Sequence, residues 1–205
     1  GLPIAIGLAM LLARVNFFGK TFLSAVIHLP LLLPPVVTGF ALLIAFGRKG
    51  FIGEALYNLT GFTFAFHWWG AALAAGIMAL PIVVQPMRIA FENIDHDIDE
   101  AALTLGASRL QKFWLITLPM AMPGVLAGVV LGFVKALGEF GATITFVSNI
   151  PGETQTLSLA IYTLLQTPNG EAAALRLVWV SVALSFAAVF AADYFSRRFK
   201  RHRLS

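Results

Sequence analysis

The stretch EAALTLGASRLQKFWLITLP, residues 100–119, decides how this chain is read. It sets Glu100-Ala101-Ala102 three residues before Gly106, and Gly106 nine residues before Ile116-x-Leu118-Pro119. Apolar runs flank it, about Trp69 to Ala90 before and about Phe113 to Leu137 behind. Each is long enough for the ~20 residues a helix needs to cross a bilayer core. A patterned, alanine-rich segment between two such runs is a projection from a membrane.

The segment has its own local logic. Glu92, Asp95, Asp97, Asp99 and Glu100 open it, and acids favour a helix N-terminus through the macrodipole. Asp97 or Asp99 is the expected N-cap. Ala101, Ala102, Leu103, Leu105 and Ala107 favour helix, whereas Gly106 costs a helix interior about 1 kcal/mol and so marks a turn or a close backbone approach. The expected form over 92–119 is a short helix, a glycine break and a second helix returning to the membrane. Its small Ala-Ala face suits the groove of a partner. The bland alternative is an ordinary amphipathic loop.

Composition agrees with a membrane setting. Of 205 residues, 59% are hydrophobic and 12% charged, against about 25% charged in soluble domains. The mean hydropathy is +0.84. There are no cysteines, which excludes disulfides and thiolate metal sites. The net charge of +4 reads as topology-setting charge at membrane edges, not as a nucleic-acid surface.

The fold class expected is all-α integral membrane, a single transmembrane domain over 1–205 with five apolar spans. They are Gly1 to Ala13, Thr21 to Phe46, Trp69 to Ala90, Phe113 to Leu137 and Ala174 to Phe195. The first is too short to span and is expected to be truncated, with residues missing before Gly1. A helix over about Leu157 to Leu165 is also too short, and belongs at the outer surface or in a re-entrant piece. With 100–119 in the cytoplasm, Arg14, Lys20, Arg88, Arg109, Lys112 and the tail Arg197, Arg198, Lys200, Arg201 and Arg203 fall inside. Arg48, Lys49 and Arg176 fall outside, and Lys135 lies within the fourth span. This bias obeys the positive-inside rule and puts the C-terminus in the cytoplasm.

Several residues within the spans stand out. Pro34-Pro35 removes two backbone donors in mid-span, so the helix should kink there and face protein or a cavity. The kink serves gating or packing. Lys135 and Glu139, four apart, share a face if the helix continues that far, and either neutralise each other or lie near a path. Pairing predicts that reversing both charges restores what either single reversal breaks. Gly124, Gly128 and Gly132 form a repeated small-residue face for close helix packing. Catalytic signatures are absent: there is no H-E-x-x-H, G-x-S-x-G or P-loop pattern, and His28, His67, His96 and His202 are scattered.

The spacing in 100–119 resembles the cytoplasmic coupling segment of the permease subunits of bacterial ABC importers. Three further segments narrow the resemblance: Gly47 to Gly53, Leu137-Gly138-Glu139-Phe140-Gly141-Ala142-Thr143-Ile144, and Asn149 to Leu157. With these, about Arg14 to Arg198 is similar to the permease subunits of molybdate ABC transporters. Sulfate and thiosulfate permeases are close relatives, and Phe140 with Ala142-Thr143 favours the molybdate branch.

The resemblance implies the small type I importer permease fold in the bacterial inner membrane. It implies a homodimer with the path at its interface, two ATP-binding subunits gripping the coupling segments, and a periplasmic binding protein delivering molybdate or tungstate. ATP and Mg would sit on the partner ATPase, with no cofactor on this chain and no enzyme activity of its own. Glu100, Ala101, Ala102, Leu103, Gly106 and Ala107 would couple to the ATPase. Pro34, Pro35, Thr38, Lys135, Glu139, Thr143 and Thr145 are the pathway and gating candidates, since an oxyanion needs hydroxyls and backbone donors. Glu139 is awkward in an anion path unless Lys135 neutralises it, it faces away, or it holds a loop by accepting backbone donors. Rival readings are a sulfate or thiosulfate importer, an ATP-independent channel or carrier, and a membrane-embedded enzyme.

Overall fold

Two adjacent prolines break the second apolar run into separate helices. Helix α1 covers Leu2–Arg14, α2 Lys20–Leu32 and α3 Pro35–Phe46, and the last two meet at 116°. Pro34 adopts φ −53°, ψ 136°, the extended geometry forced on a residue that precedes proline. Pro35 then starts α3 at its first position, where a missing N–H costs nothing. The kink expected in one span is therefore a break with a change of direction.

The computed structural model describes residues 1–201, apart from the side chains of His96, Asp99 and 196–201. The basic tail cluster and His202 lie outside the described residues or side chains. Further helices are α4 (Phe51–Thr60), α5 (Trp68–Glu92), α6 (His96–Thr104), α7 (Arg109–Lys112), α8 (Leu118–Leu137), α9 (Gly141–Val147), α10 (Leu157–Leu165) and α11 (Glu171–Arg201). Helices α4 and α9 extend the expected set. Among the described residues, three stretches are long and apolar enough to cross a membrane: Trp68–Glu92, Arg109–Leu137 and Glu171–Phe195. The bent α2–α3 pair makes a fourth if counted as one span.

Arg109–Leu137 carries a π-helical turn at Phe113–Thr117, where the Leu118 amide donates to the Phe113 carbonyl. Pro119 explains it. A proline cannot donate, and its ring crowds the carbonyl four residues back. Widening the turn just before it relieves that conflict.

The described residues gather into two compact units, 1–25 with 82–132 and 188 onward, and 26–81 with 133–187. Helices α2, α5, α8 and α11 each run from one unit into the other. Within the first, the glycine face of α8 packs on α5. A Cβ on Gly124 would fall 2.6 Å from the Pro86 carbonyl oxygen, and one on Gly128 2.5 Å from that of Val83. The expected close packing is thus made inside the subunit. In the second unit, Leu42, Ala71, Ala74, Met78, Ala142, Phe146 and Val147 form the core. There α3 lies against α9 so closely that a Cβ on Gly39 would sit 2.6 Å from the Ala142 carbonyl oxygen.

A candidate coupling segment and pathway site

The loop after α5 is anchored before it projects. Arg14 Nη2 donates to the Ile94 carbonyl at 2.9 Å, fixing the end of α1 to the start of the loop. Asp95 is the N-cap of α6, its carboxylate accepting from the Asp97 amide at 3.1 Å. The helix starts earlier than the expected caps Asp97 and Asp99 allow, and both fall inside it. The first acid able to reach a free amide takes the capping role.

Gly106 has φ +87°, the left-handed geometry that glycine adopts without steric cost. The Gly106 amide donates to the Leu103 carbonyl at 3.0 Å and the Ala107 amide to that of Ala102 at 3.1 Å. This pair of bonds is a Schellman motif, which closes a helix and fixes the exit direction of the chain. Ser108 caps α7 immediately afterwards. Its hydroxyl accepts from the Gln111 amide, and Gln111 returns a carbonyl to the Ser108 amide at 2.9 Å. The reciprocal pair is a capping box, legible in the Ser-x-x-Gln spacing but overlooked beside the glycine. One helix stop and one helix start are thus joined in four residues and lead through the π turn into α8.

Of the six candidate coupling residues, Ala102 is buried and Ala107 half-buried, while Glu100, Ala101, Leu103 and Gly106 are exposed. Leu105 is 88% exposed and Leu110 68%, so the projection offers apolar surface out of keeping with its polar sequence. Contiguous exposed apolar surface marks interaction sites.

The pathway candidates lie on α3 and the residue before it, at the end of α8, in the turn that follows, and on α9. Helix α8 ends at Leu137, whose carbonyl accepts from the Ser158 hydroxyl at 2.9 Å. Glu139 lies past that end, so the continuous helix face expected for it and Lys135 is not how they meet. The turn itself brings them together. Lys135 Nζ stands 3.1 Å from Glu139 Oε2, and the Ala142 amide donates to Oε1 at 2.9 Å. Glu139 is 2% exposed, and both its oxygens are engaged. It neutralises a cation and caps the first turn of α9. Gly141 lets α9 approach α3, since a Cβ there would sit 2.8 Å from that of Pro35.

The three threonines differ in what they can offer. Thr143 is fully buried and donates to the Phe140 carbonyl at 2.9 Å; Thr145 donates to the Gly141 carbonyl at 2.8 Å. Their protons are committed to backbone, a common use of threonine within helices. Thr38 Oγ1 is buried without a hydrogen-bond partner. Of the three hydroxyls, Thr38 alone is uncommitted. Among the described residues, no group of three or more His, Asp or Glu side chains is placed to hold a metal.

Membrane-length apolar helices with a short, doubly capped, apolar-surfaced projection between two of them fit a membrane permease of the ABC-importer type. A family model for the binding-protein-dependent transport system inner membrane component matches residues 1–201, and the chain belongs to that family. It is 53% identical over 200 residues to the molybdenum transport system permease protein ModB of Haemophilus influenzae, covering 98% of this chain and 87% of that protein. It is 37% identical over 194 residues to the sulfate transport system permease protein CysT of Salmonella typhimurium, covering 95% and 69% respectively. In fold it resembles a chain in the crystal structure of a bacterial ABC transporter that imports alginate. That match has a TM-score of 0.73 at 21% identity, over 97% of this chain and 73% of the other.

Proposed function

We propose that this chain is the permease subunit of an ATP-driven importer that carries molybdate, or tungstate, across the bacterial inner membrane. The observation that carries this reading is 53% identity to a molybdenum permease across nearly the whole chain. Two copies would enclose the path, each engaging one of two ATPase subunits that hold ATP and Mg. A periplasmic binding protein would deliver the oxyanion, and the C-terminus would be cytoplasmic.

The geometry supports a mechanical role for 92–119. Helix α6 presents Glu100, Ala101 and Leu103 outward. A force on it passes through the hydrogen-bonded Gly106 turn and the Ser108 cap into α7 and then α8, with no slack segment between. Helix α8 ends at the Lys135–Glu139 turn, which caps α9 against α3. Pro34 and Pro35 stand at the start of α3, and Thr38 lies in its first turn. A dianion passing there would meet the Thr38 hydroxyl and a Glu139 neutralised by Lys135 instead of a bare carboxylate. No resident cofactor enters this scheme on this chain.

Sulfate is the second reading, supported by the 37% identity to a sulfate permease. Uptake separates them. Cells lacking their molybdate importer and supplied with the full-length permease, its ATPase and its binding protein should accumulate molybdate against a tenfold excess of sulfate. Accumulation of sulfate with no effect of molybdate would overturn the assignment.

A further inference from the structure

Helix α4 has ten residues and is about 15 Å long, too short to cross the ~30 Å hydrocarbon core. Its apolar residues Phe51, Ile52, Ala55, Leu56 and Leu59 share one face at helical spacing, with Glu54, Tyr57 and Asn58 on the other. Phe51, Ile52, Ala55 and Leu59 are exposed. An amphipathic helix with its apolar face uncovered lies in the plane of a membrane interface. Trp68 and Trp69, their rings stacked at 4.0 Å where the membrane-length α5 begins, mark an interface as well.

A cavity of about 520 Å³ opens among the loops that border these two helices, within one compact unit. Arg48, Phe62, Thr63, Phe66, His67 and Glu153 line it. Arg48 is held against the polar face of α4: its guanidinium lies 4.4 Å from the centre of the Tyr57 ring and donates to the Tyr57 hydroxyl at 2.8 Å. Glu153 lines the same cavity, yet among the described residues its carboxylate forms no ion pair with Arg48 or with any other base. Thr63 Oγ1 is buried without a hydrogen-bond partner, a state that a buried hydroxyl rarely keeps. Phe66 is held at φ +59°, an uncommon geometry for a bulky residue, and leaves its ring exposed.

We infer that this cavity is a site for the headgroup of a zwitterionic phospholipid, its phosphate at Arg48 and its primary ammonium at Glu153 and Thr63. The charges select the ligand. A base and an acid that line one cavity without pairing each lack a counter-charge, and a ligand carrying both signs supplies the two together. Glu153 would repel a simple oxyanion, and Arg48 a simple cation. The aromatic faces of Phe62 and Phe66 favour an ammonium further. A primary ammonium has three N–H donors, so it can serve the Glu153 carboxylate and the Thr63 hydroxyl at once; a quaternary ammonium has none. The volume lies within the range of about 300 to 1,000 Å³ usual for small-ligand sites. The interfacial α4 and the tryptophan pair set the cavity at headgroup depth, which makes a membrane lipid the source. Such a lipid would bind whichever anion the importer carries, so its failure to bind leaves the importer reading intact.

The test titrates the full-length permease, assembled with its ATPase in detergent, with dioctanoyl phosphatidylethanolamine, phosphatidylcholine or phosphatidylglycerol, and counts bound lipid by native mass spectrometry. Wild type should bind the ethanolamine lipid about tenfold more tightly than either of the others, the worth of one charge-assisted hydrogen bond. Glu153→Gln should bring the ratio of ethanolamine to glycerol lipid down to about one, and Arg48→Gln should weaken both about tenfold. Glu153→Gln lies on an exposed loop and serves alone if Arg48→Gln, which loses the Tyr57 contact, fails to assemble. Equal affinity of wild type for the three lipids would overturn the site, and so would a preference that Glu153→Gln leaves unchanged. Equally tight binding of glycerophosphoethanolamine, which has no acyl chains, would overturn the lipid in favour of a soluble ligand. Unaltered lipid binding in Glu153→Gln, together with a higher binding-protein concentration for half-maximal ATP hydrolysis, would overturn it in favour of a protein contact.

Discussion

Exchanging Lys135 and Glu139 should not restore function, although the two side chains are ion-paired at 3.1 Å. A simple pair survives reversal, because attraction is symmetric. This one is not simple, since Glu139 Oε1 also accepts the Ala142 amide at 2.9 Å. A lysine at 139 has no acceptor, so the exchange leaves a buried donor unsatisfied at about 1 to 3 kcal/mol. It also sets an ammonium against the N-terminal end of α9 at a site 2% exposed to solvent. Removing one partner of a buried pair costs about 3 to 5 kcal/mol, and the lower end applies because the Lys135 side chain is 30% exposed. Glu139→Gln is the informative contrast. Its amide oxygen can still accept from Ala142, so it should lose only the charged part, about 1 to 2 kcal/mol. Molybdate uptake and thermal unfolding of the purified permease, measured on Glu139→Gln, Glu139→Ala and the exchange, should rank in that order of increasing damage. Near-wild-type uptake by the exchange would refute the capping role and reduce Glu139 to half of a reversible pair.

Gly106→Val should strain the backbone at φ +87° by about 1 to 2 kcal/mol and abolish uptake while membrane insertion and dimer formation persist; normal uptake would remove the turn from the coupling route. Pro34→Ala with Pro35→Ala should join α2 to α3 and cut transport at least tenfold, and unaltered transport would make the break a packing feature. Gly39→Ala should destabilise the permease by about 1 to 2 kcal/mol, because its Cβ would press on the Ala142 carbonyl. Gly76→Ala, with nothing within 4 Å, should be neutral or stabilising by up to about 1 kcal/mol, and equal thermal shifts for the two would contradict the α3–α9 packing.

The form of the segment after α5, a helix, a glycine turn and a second helix, was legible because its signals are local. The positive φ of Gly106 and the acids at a helix start depend on a few neighbouring residues. Even there the N-cap fell on Asp95, since competition among adjacent acids is settled by which carboxylate reaches a free amide. Pro34-Pro35 announced an interruption, but not its angle, because prolines remove donors while direction is set by what α3 packs on. That partner, α9, is seven residues long and too short for periodicity to reveal. Thr38, Thr143 and Thr145 looked equivalent in sequence. Whether a hydroxyl bonds its own helix, as in Thr143 and Thr145, or stays uncommitted, as in Thr38, depends on rotamer and packing. The cavity that Arg48, Phe62 and Glu153 help to line could not be read at all, since these residues meet only through the fold.

On the proposed function, this chain couples ATP hydrolysis on a partner to import of molybdate. The direct measurement is ATP hydrolysis by the full-length permease reconstituted with its ATPase, comparing molybdate-loaded with sulfate-loaded binding protein. Stimulation by the molybdate-loaded form alone, lost in Gly106→Val, is the expected result. Stimulation by the sulfate-loaded form alone would contradict the substrate, and equal stimulation of wild type and Gly106→Val would contradict the coupling route.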